Sequence, residues 1–375
     1  MKPELLRWAC ERAGLGADTR ATRFPRLDAW LSGAAQPTLK QLEAFAKATN
    51  TPIGYLFSTE PPTEQNPIPD LRPIDHGFSR PSPNLRDTIN ICQERQEWYR
   101  EYAATDGDGP VAFVGGEWPI ADIEATASIL RDVLSFDVER CAEQPDWTAA
   151  RRRLVHAADA AGILVMGGST VPGKPARRLD RVEFSGFAIT DPLAPLVFVN
   201  AHDSKDRQMF TLAYELVKLW IGRPGVSEIE VGQPMEDEND TWCFHVAAEF
   251  LLPLEIVRRE YDPHANLDAQ VDAMSNRFKV PPLIVLRRIF ELCGQRRINY
   301  LLELHLMMRV PSPWRDADDR HPGRRLVARV GDRFARALLV RTWEGNNSFS
   351  EALRLLGIQK MSHFRELGRT LGVLS

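Results

Sequence analysis

Cysteine is scarce and unpatterned in this chain. The five cysteines, Cys10, Cys92, Cys141, Cys243 and Cys293, are scattered, odd in number and never arranged as C-x-x-C. That argues against both a disulfide framework and a thiolate zinc site, and leaves reduced, mostly buried thiols. No run of about 18 apolar residues occurs, so no membrane-spanning helix is expected. Met1-Lys2-Pro3-Glu4 does not read as a secretory signal, and the expected location is the cytoplasm. An excess of one charge is also missing. The 375 residues carry 47 Lys and Arg against 51 Asp and Glu, a net charge of −4, which argues against bulk attraction of the whole chain to nucleic acid. The ends differ from the middle: residues 1–57 hold eight basic and five acidic residues, and 309–375 hold thirteen and seven. Any DNA contact is expected there.

From Lys2 to Phe57 apolar residues recur at helical spacing in short segments separated by turn signals. Leu5, Leu6, Trp8 and Ala9 suit a first helix ended at Gly14. Pro25 can occupy the first turn of a helix running through Leu27, Ala29, Trp30 and Leu31 to Gly33. Thr38 can cap a helix carrying Leu39, Leu42, Phe45 and Ala46. The pattern Trp30-x-Ser32-Gly33-x-x-x-Pro37-Thr38-Leu39-x-x-Leu42-x-x-Phe45-Ala46, closed by Pro52-Ile53-Gly54-Tyr55-Leu56-Phe57, resembles the XRE (Cro/CI-type) helix-turn-helix family. The resemblance implies a major-groove helix beginning near Pro25, with Arg23, Arg26 and Asp28 as candidate groove contacts, Lys40 as a candidate phosphate contact and operator DNA as a partner. One residue departs from the pattern: Arg20 stands where the family places an apolar side chain, and a guanidinium there must snorkel outward or find a partner. A helical protein-docking module is the alternative reading.

Residues 58–84 are rich in proline and read as a semi-rigid tether. An amphipathic helix from about Leu85 to Tyr102 lies in a connecting stretch, 85–110. Helices are expected over Ile120–Phe136 and Trp147–Ala161, after which the period changes. Gly162–Met166, Phe184–Ile189 and Pro195–Asn200 are short apolar runs of strand type. The fold class expected is mostly α with an α+β middle domain over residues 111–308, a small sheet packed on helices.

The next helix, Arg207–Ile221, reads Arg-Gln-Met-Phe-Thr-Leu-Ala-Tyr-Glu-Leu-Val-Lys-Leu-Trp over residues 207–220. Together with Gly186-Phe187-Ala188, Pro195–Asn200 and the later Trp242-Cys243-Phe244-His245-Val246-Ala247-Ala248-Glu249-Phe250-Leu251-Leu252-Pro253, it resembles the zincin-like ImmA/IrrE metallopeptidases. Members of that family carry H-E-x-x-H on this helix: two histidines on one face hold zinc, and the glutamate between them activates the bound water. Here those positions read Tyr214-Glu215-Leu216-Val217-Lys218, and the third ligand, a glutamate in the family, falls on Asp240. Only Glu215, the general-base position, is kept. Tyrosine and protonated lysine are not usual zinc ligands, so the expectation is a pseudo-metallopeptidase with no cofactor. The Lys218 ammonium is expected between Glu215 and Asp240, supplying the positive charge a metal would supply. A site rebuilt from Asp240, Cys243, His245 and His202 is disfavoured, because residues five apart on a helix diverge.

The carboxy-terminal segment, 309–375, follows an apolar stretch at Tyr300–Met308 and a polar break. A helix is expected over Arg324–Trp343, then one from Ser348, capped with Glu351 and stopped by Gly357, and another from Ser362. The two resemblances imply a DNA-associated regulator or an antitoxin-like protein that binds a toxin or regulator partner, with a homodimer as a further expectation. The alternatives are a zinc-dependent endopeptidase cleaving a repressor and an interaction scaffold without DNA binding.

Overall fold

The computed structural model describes residues 2–13, 22–62, 68–70, 81–115, 122–229, 237–293 and 322–373. Its backbone contacts divide the chain into two compact units, residues 1–67 with 74–89, and residues 68–73 with 90–375.

The first unit is a small helical bundle: α1 (Pro3–Arg12), α2 (Leu27–Leu31), α3 (Leu39–Ala48) and a 3-10 turn at Ile53–Phe57. Its core gathers Leu6, Ala9, Leu27, Trp30, Leu42, Phe45 and Leu56. Phe24 and Trp30 meet the Phe45 ring edge-on at 5.4 and 6.4 Å, the arrangement favoured by the ring quadrupoles. Thr38 caps α3 in a full capping box with Gln41, satisfying donors at both positions. The helix expected from Pro25 to Gly33 is shorter than its pattern suggests. Arg20 and the rest of 14–21 lie outside the described residues.

The helix α4 (Pro83–Asp106) begins in the first unit, and its residues from Asn90 onward belong to the second. Next come α5 (Ile123–Val133), α6 (Val138–Ala142) and α7 (Trp147–Ala160). Each of these three starts at an aspartate, Asp122, Asp137 or Asp146, whose carboxylate accepts the backbone N–H three residues on. The sheet follows: β1 (Leu164–Gly168), β2 (Gly186–Ile189), β3 (Leu196–Asn200) and β4 (Gly225–Ser227), in the order β1-β3-β2-β4. β1 pairs parallel with β3, and β2 antiparallel with both β3 and β4. Every residue of β3 is buried, which is why Leu196–Val199 reads as an unbroken apolar run rather than an alternation.

The helix α8 (Lys205–Trp220) packs across β2 and β3, and is buried on all sides from Gln208 to Trp220. Then α9 (Glu238–Leu251), α10 (Leu254–Glu260), α11 (Leu267–Phe278) and α12 (Pro282–Cys293) complete one continuous core with α5, α7 and α8. The last four helices are α13 (Pro322–Val330), α14 (Asp332–Trp343), α15 (Phe349–Leu356) and α16 (Met361–Thr370).

The mostly-α class with an α+β middle is what the structure has. Three further details differ from the sequence expectations. Arg324–Trp343 is two helices rather than one, broken at Gly331. That residue holds φ +83° and a Cβ built on it would lie 2.7 Å from the Val165 carbonyl oxygen, so glycine serves both the turn and the close approach to β1. The proline-rich stretch is not purely a tether, since the Pro69 carbonyl accepts the Val226 N–H at 3.0 Å and Asp70 bridges to β4. β4 itself, three residues long, was not expected. The stretch Tyr300–Met308 lies outside the described residues. Among the described residues no helix is long and apolar enough to cross a membrane.

Candidate functional site

The residues singled out on α8 lie against the sheet. Glu215 and Lys218 are both fully buried, one helical turn apart, and the Lys218 Nζ lies 3.3 Å from Glu215 Oε2. The same ammonium donates to the Gly225 carbonyl at 2.9 Å and to the Ser227 hydroxyl oxygen at 2.6 Å, both on β4. An ammonium has three protons, and here three oxygens surround it. Burial pushes the Glu215 carboxyl up from its ordinary pKa, while the Lys218 charge acts against that shift. Gly186 on β2 makes the arrangement possible: a Cβ there would stand 2.8 Å from the Phe198 carbonyl oxygen and from Thr211 Cγ2, and 3.3 Å from Glu215 Cγ. Only hydrogen at that position lets the sheet close on the carboxylate's stem.

Tyr214 is buried beside this pair, its ring centre 5.9 Å from the Lys218 ammonium. Its hydroxyl faces the Asp240 carboxylate at the start of α9. Burial and that negative neighbour raise the phenol well above its usual pKa, so it is neutral. Asp240 also lies 3.6 Å from the Arg223 guanidinium, which makes a two-pronged bond to Asp237 at 3.2 and 2.5 Å. The Arg223 bonds hold the Asp237 carboxyl well below the ordinary range. The structure therefore brings Tyr214, Glu215, Lys218 and Asp240 together, but with two cations. Lys218 serves Glu215 and β4, and Arg223 serves Asp240, so Lys218 is not placed symmetrically between the two carboxylates.

The residues of the rebuilt metal set are otherwise engaged. His245 Nδ1 lies 3.2 Å from Glu291 Oε1, and its Nε2 is 3.2 Å from Arg287. The His202 ring bonds the Leu179 carbonyl at 2.7 Å. Burial raises the Cys243 thiol to about 12, which keeps it from being a thiolate. A buried charge network backs α9: Arg288 pairs with Glu249 and Glu291 and donates to the Leu252 carbonyl at 3.1 Å. Among the described residues no group of three or more His, Cys, Asp and Glu side chains is arranged to hold a metal ion.

Residues 159–290 match the family model described as the IrrE N-terminal-like domain, of the peptidase M78 type. An ImmA/IrrE-like domain is present. Residues 330–370 match a domain of unknown function, DUF8813. No curated protein and no solved structure matches the chain.

Zinc is the metal this kind of domain implies, and the donor set here does not suit it. Lys218 offers no lone pair while protonated and already donates to β4, and Tyr214 is a neutral phenol facing Asp240. The arrangement instead fills the interior next to Glu215 with a fixed ammonium.

The candidate DNA contacts of the first unit are all exposed: Arg23 and Arg26 precede α2, Asp28 lies on it, and Lys40 is in the first turn of α3. Sequence reasoning missed Arg223, Gly225, Ser227 and Asp237 as parts of the site. Arg223 stands in the turn after α8 and β4 is only three residues long, so neither carries a periodic signal. Nothing short of the fold could have joined them to Tyr214–Lys218.

Proposed function

We propose that this chain is a non-catalytic, DNA-associated regulator or antitoxin-like protein, whose IrrE-like domain binds a partner or ligand rather than cleaving a protein chain. The observation that supports this reading is the Lys218 ammonium, fully buried and held by Glu215, Gly225 and Ser227. It supplies the compensating charge for Glu215, so the carboxylate is paired rather than free to take a proton from water. The exposure of Arg23, Arg26, Asp28 and Lys40 supports the DNA-facing half of the proposal, with a homodimer on a two-fold operator as the natural arrangement.

The test is elemental analysis of unchelated protein beside a variant carrying Tyr214→His and Lys218→His. No zinc in the parent and about one equivalent in the variant is the expected result. Stoichiometric zinc in the parent, with cleavage of a repressor, would restore the endopeptidase reading. The DNA half is read separately, as a salt-sensitive shift of genomic fragments that Arg23→Glu with Arg26→Glu abolishes. Absence of any shift leaves the interaction scaffold.

A further inference from the structure

A cavity of about 670 Å³ lies elsewhere in the second unit, outside the carboxyl end of the parallel strands β1 and β3. None of Tyr214, Glu215, Lys218 and Asp240 lines it. Its volume falls in the range of small-molecule sites, roughly 300–1,000 Å³, and the ends of parallel strands are where open α/β sheets place ligands. Four helices and the strand end wall it. Arg151 comes from α7, Lys205 from the first turn of α8, and Arg324, Arg325 and Arg329 from α13. Glu366 on α16 is the one carboxylate among its described lining residues.

Like charges are held close together here. Burial and the neighbouring Arg325 both lower the Arg329 pKa. Behind it Arg95 on α4 is fully buried, bonded to the Leu355 carbonyl at 2.8 Å and, more weakly, to Met166 Sδ. Its pKa is pushed down to about 10, chiefly by burial, and the Arg329 charge adds to that. Guanidinium groups that share a concave space attract an anion into it, and Arg325 and Arg329 lie one helical turn apart on the same wall. The backbone offers Gly167-Gly168-Ser169-Thr170 at the strand end, a surface without bulky side chains, and Leu326 and Ile358 give an apolar wall.

We propose that this cavity binds a polyphosphate-bearing small molecule, represented by a nucleoside triphosphate, with Arg325 and Arg329 gripping the phosphate chain. The concave shape favours a small molecule over duplex DNA, whose phosphates are met by cations spread along an exposed face. The site is independent of the state of Glu215 and Lys218, so loss or retention of zinc at α8 leaves it unaffected.

The experiment is calorimetric titration of the full chain with ATP and, separately, inorganic tripolyphosphate, at one fixed ionic strength because salt screens such contacts. One saturable site is expected, weakened at least about tenfold by Arg325→Ala with Arg329→Ala, and unchanged by Arg258→Ala on the exposed face of α10. In the parent protein ATP should slow amide exchange in residues 167–170 and 322–330, a readout that needs no variant. Binding of both probes, or of ATP alone, supports the proposal, the latter adding a nucleoside subsite. It is overturned if neither probe saturates by about 1 mM, the weak end of specific binding. It is equally overturned if the arginine variant binds as the parent does, or if a DNA duplex binds through Arg325 and Arg329 while tripolyphosphate does not.

Discussion

Replacing Lys218 by Met should be among the most damaging single changes in this protein. The substitution keeps the length of the side chain and removes the charge, leaving the Glu215 carboxylate fully buried without a cation. At the 3.3 Å separation, and with an effective dielectric constant of about 20, the lost attraction is about 5 kcal/mol. Breaking one side of a buried ion pair typically costs about 3–5 kcal/mol, the same range. The Gly225 carbonyl and Ser227 hydroxyl also lose their donor, at about 1 kcal/mol each. The expected destabilisation is therefore about 3–5 kcal/mol, since the carboxyl can limit its loss by taking up a proton.

Urea unfolding followed by circular dichroism and fluorescence would measure this, with coincidence of the two probes checking that one transition is being read. Changing Glu215→Gln in the same chain should recover most of the loss, because removing both charges of a buried pair is far less costly than removing one. The pH dependence has a definite sign. In Lys218→Met the folded-state pKa of Glu215 rises further above its unfolded value, so the deficit is largest at high pH and shrinks as pH falls toward about 4.3. Stability of Lys218→Met within about 0.5 kcal/mol of the parent, or a double variant no better than the single one, would refute the reasoning.

Asp159 at the end of α7 is raised to about 7, first by burial and then by Asp332, with Arg333 and Arg336 acting in the opposite direction. The folded state therefore holds this proton more tightly than the unfolded chain does, and stability should fall as pH rises from about 4 to 7, a slope that Asp159→Asn flattens in urea titrations. Gly186→Ala should lower the thermal midpoint by several degrees, because the added methyl meets the Phe198 carbonyl oxygen and Thr211 at 2.8 Å and pushes β2 away from Glu215. An unchanged melting curve would mean that the sheet and α8 can separate without cost.

Much of the fold could be read from the sequence because its signals are local. Thr38 with Gln41 and Ser348 with Glu351 mark helix starts through contacts three residues apart, and the apolar runs at Leu164–Met166 and Leu196–Val199 mark strands buried on both faces. The departure from H-E-x-x-H at Tyr214 and Lys218 is likewise written in five consecutive residues. Such features depend on neighbours along one helix or strand, so residue order alone carries them.

Tertiary structure decided what those residues do. Lys218 meets Ser227 because a three-residue strand pairs with β2, and that strand has too few residues for any period to be seen. The same sheet edge engages Pro69, far away in sequence, and the position after α13 must be glycine because the Val165 carbonyl lies where a side chain at 331 would stand. The cations of the cavity come from α7, α8 and α13, and none of those helices shows on its own which of its arginines will face another. Helices and strands follow from short-range sterics and hydrogen bonding, whereas charge pairing between distant segments exists only once the core has closed.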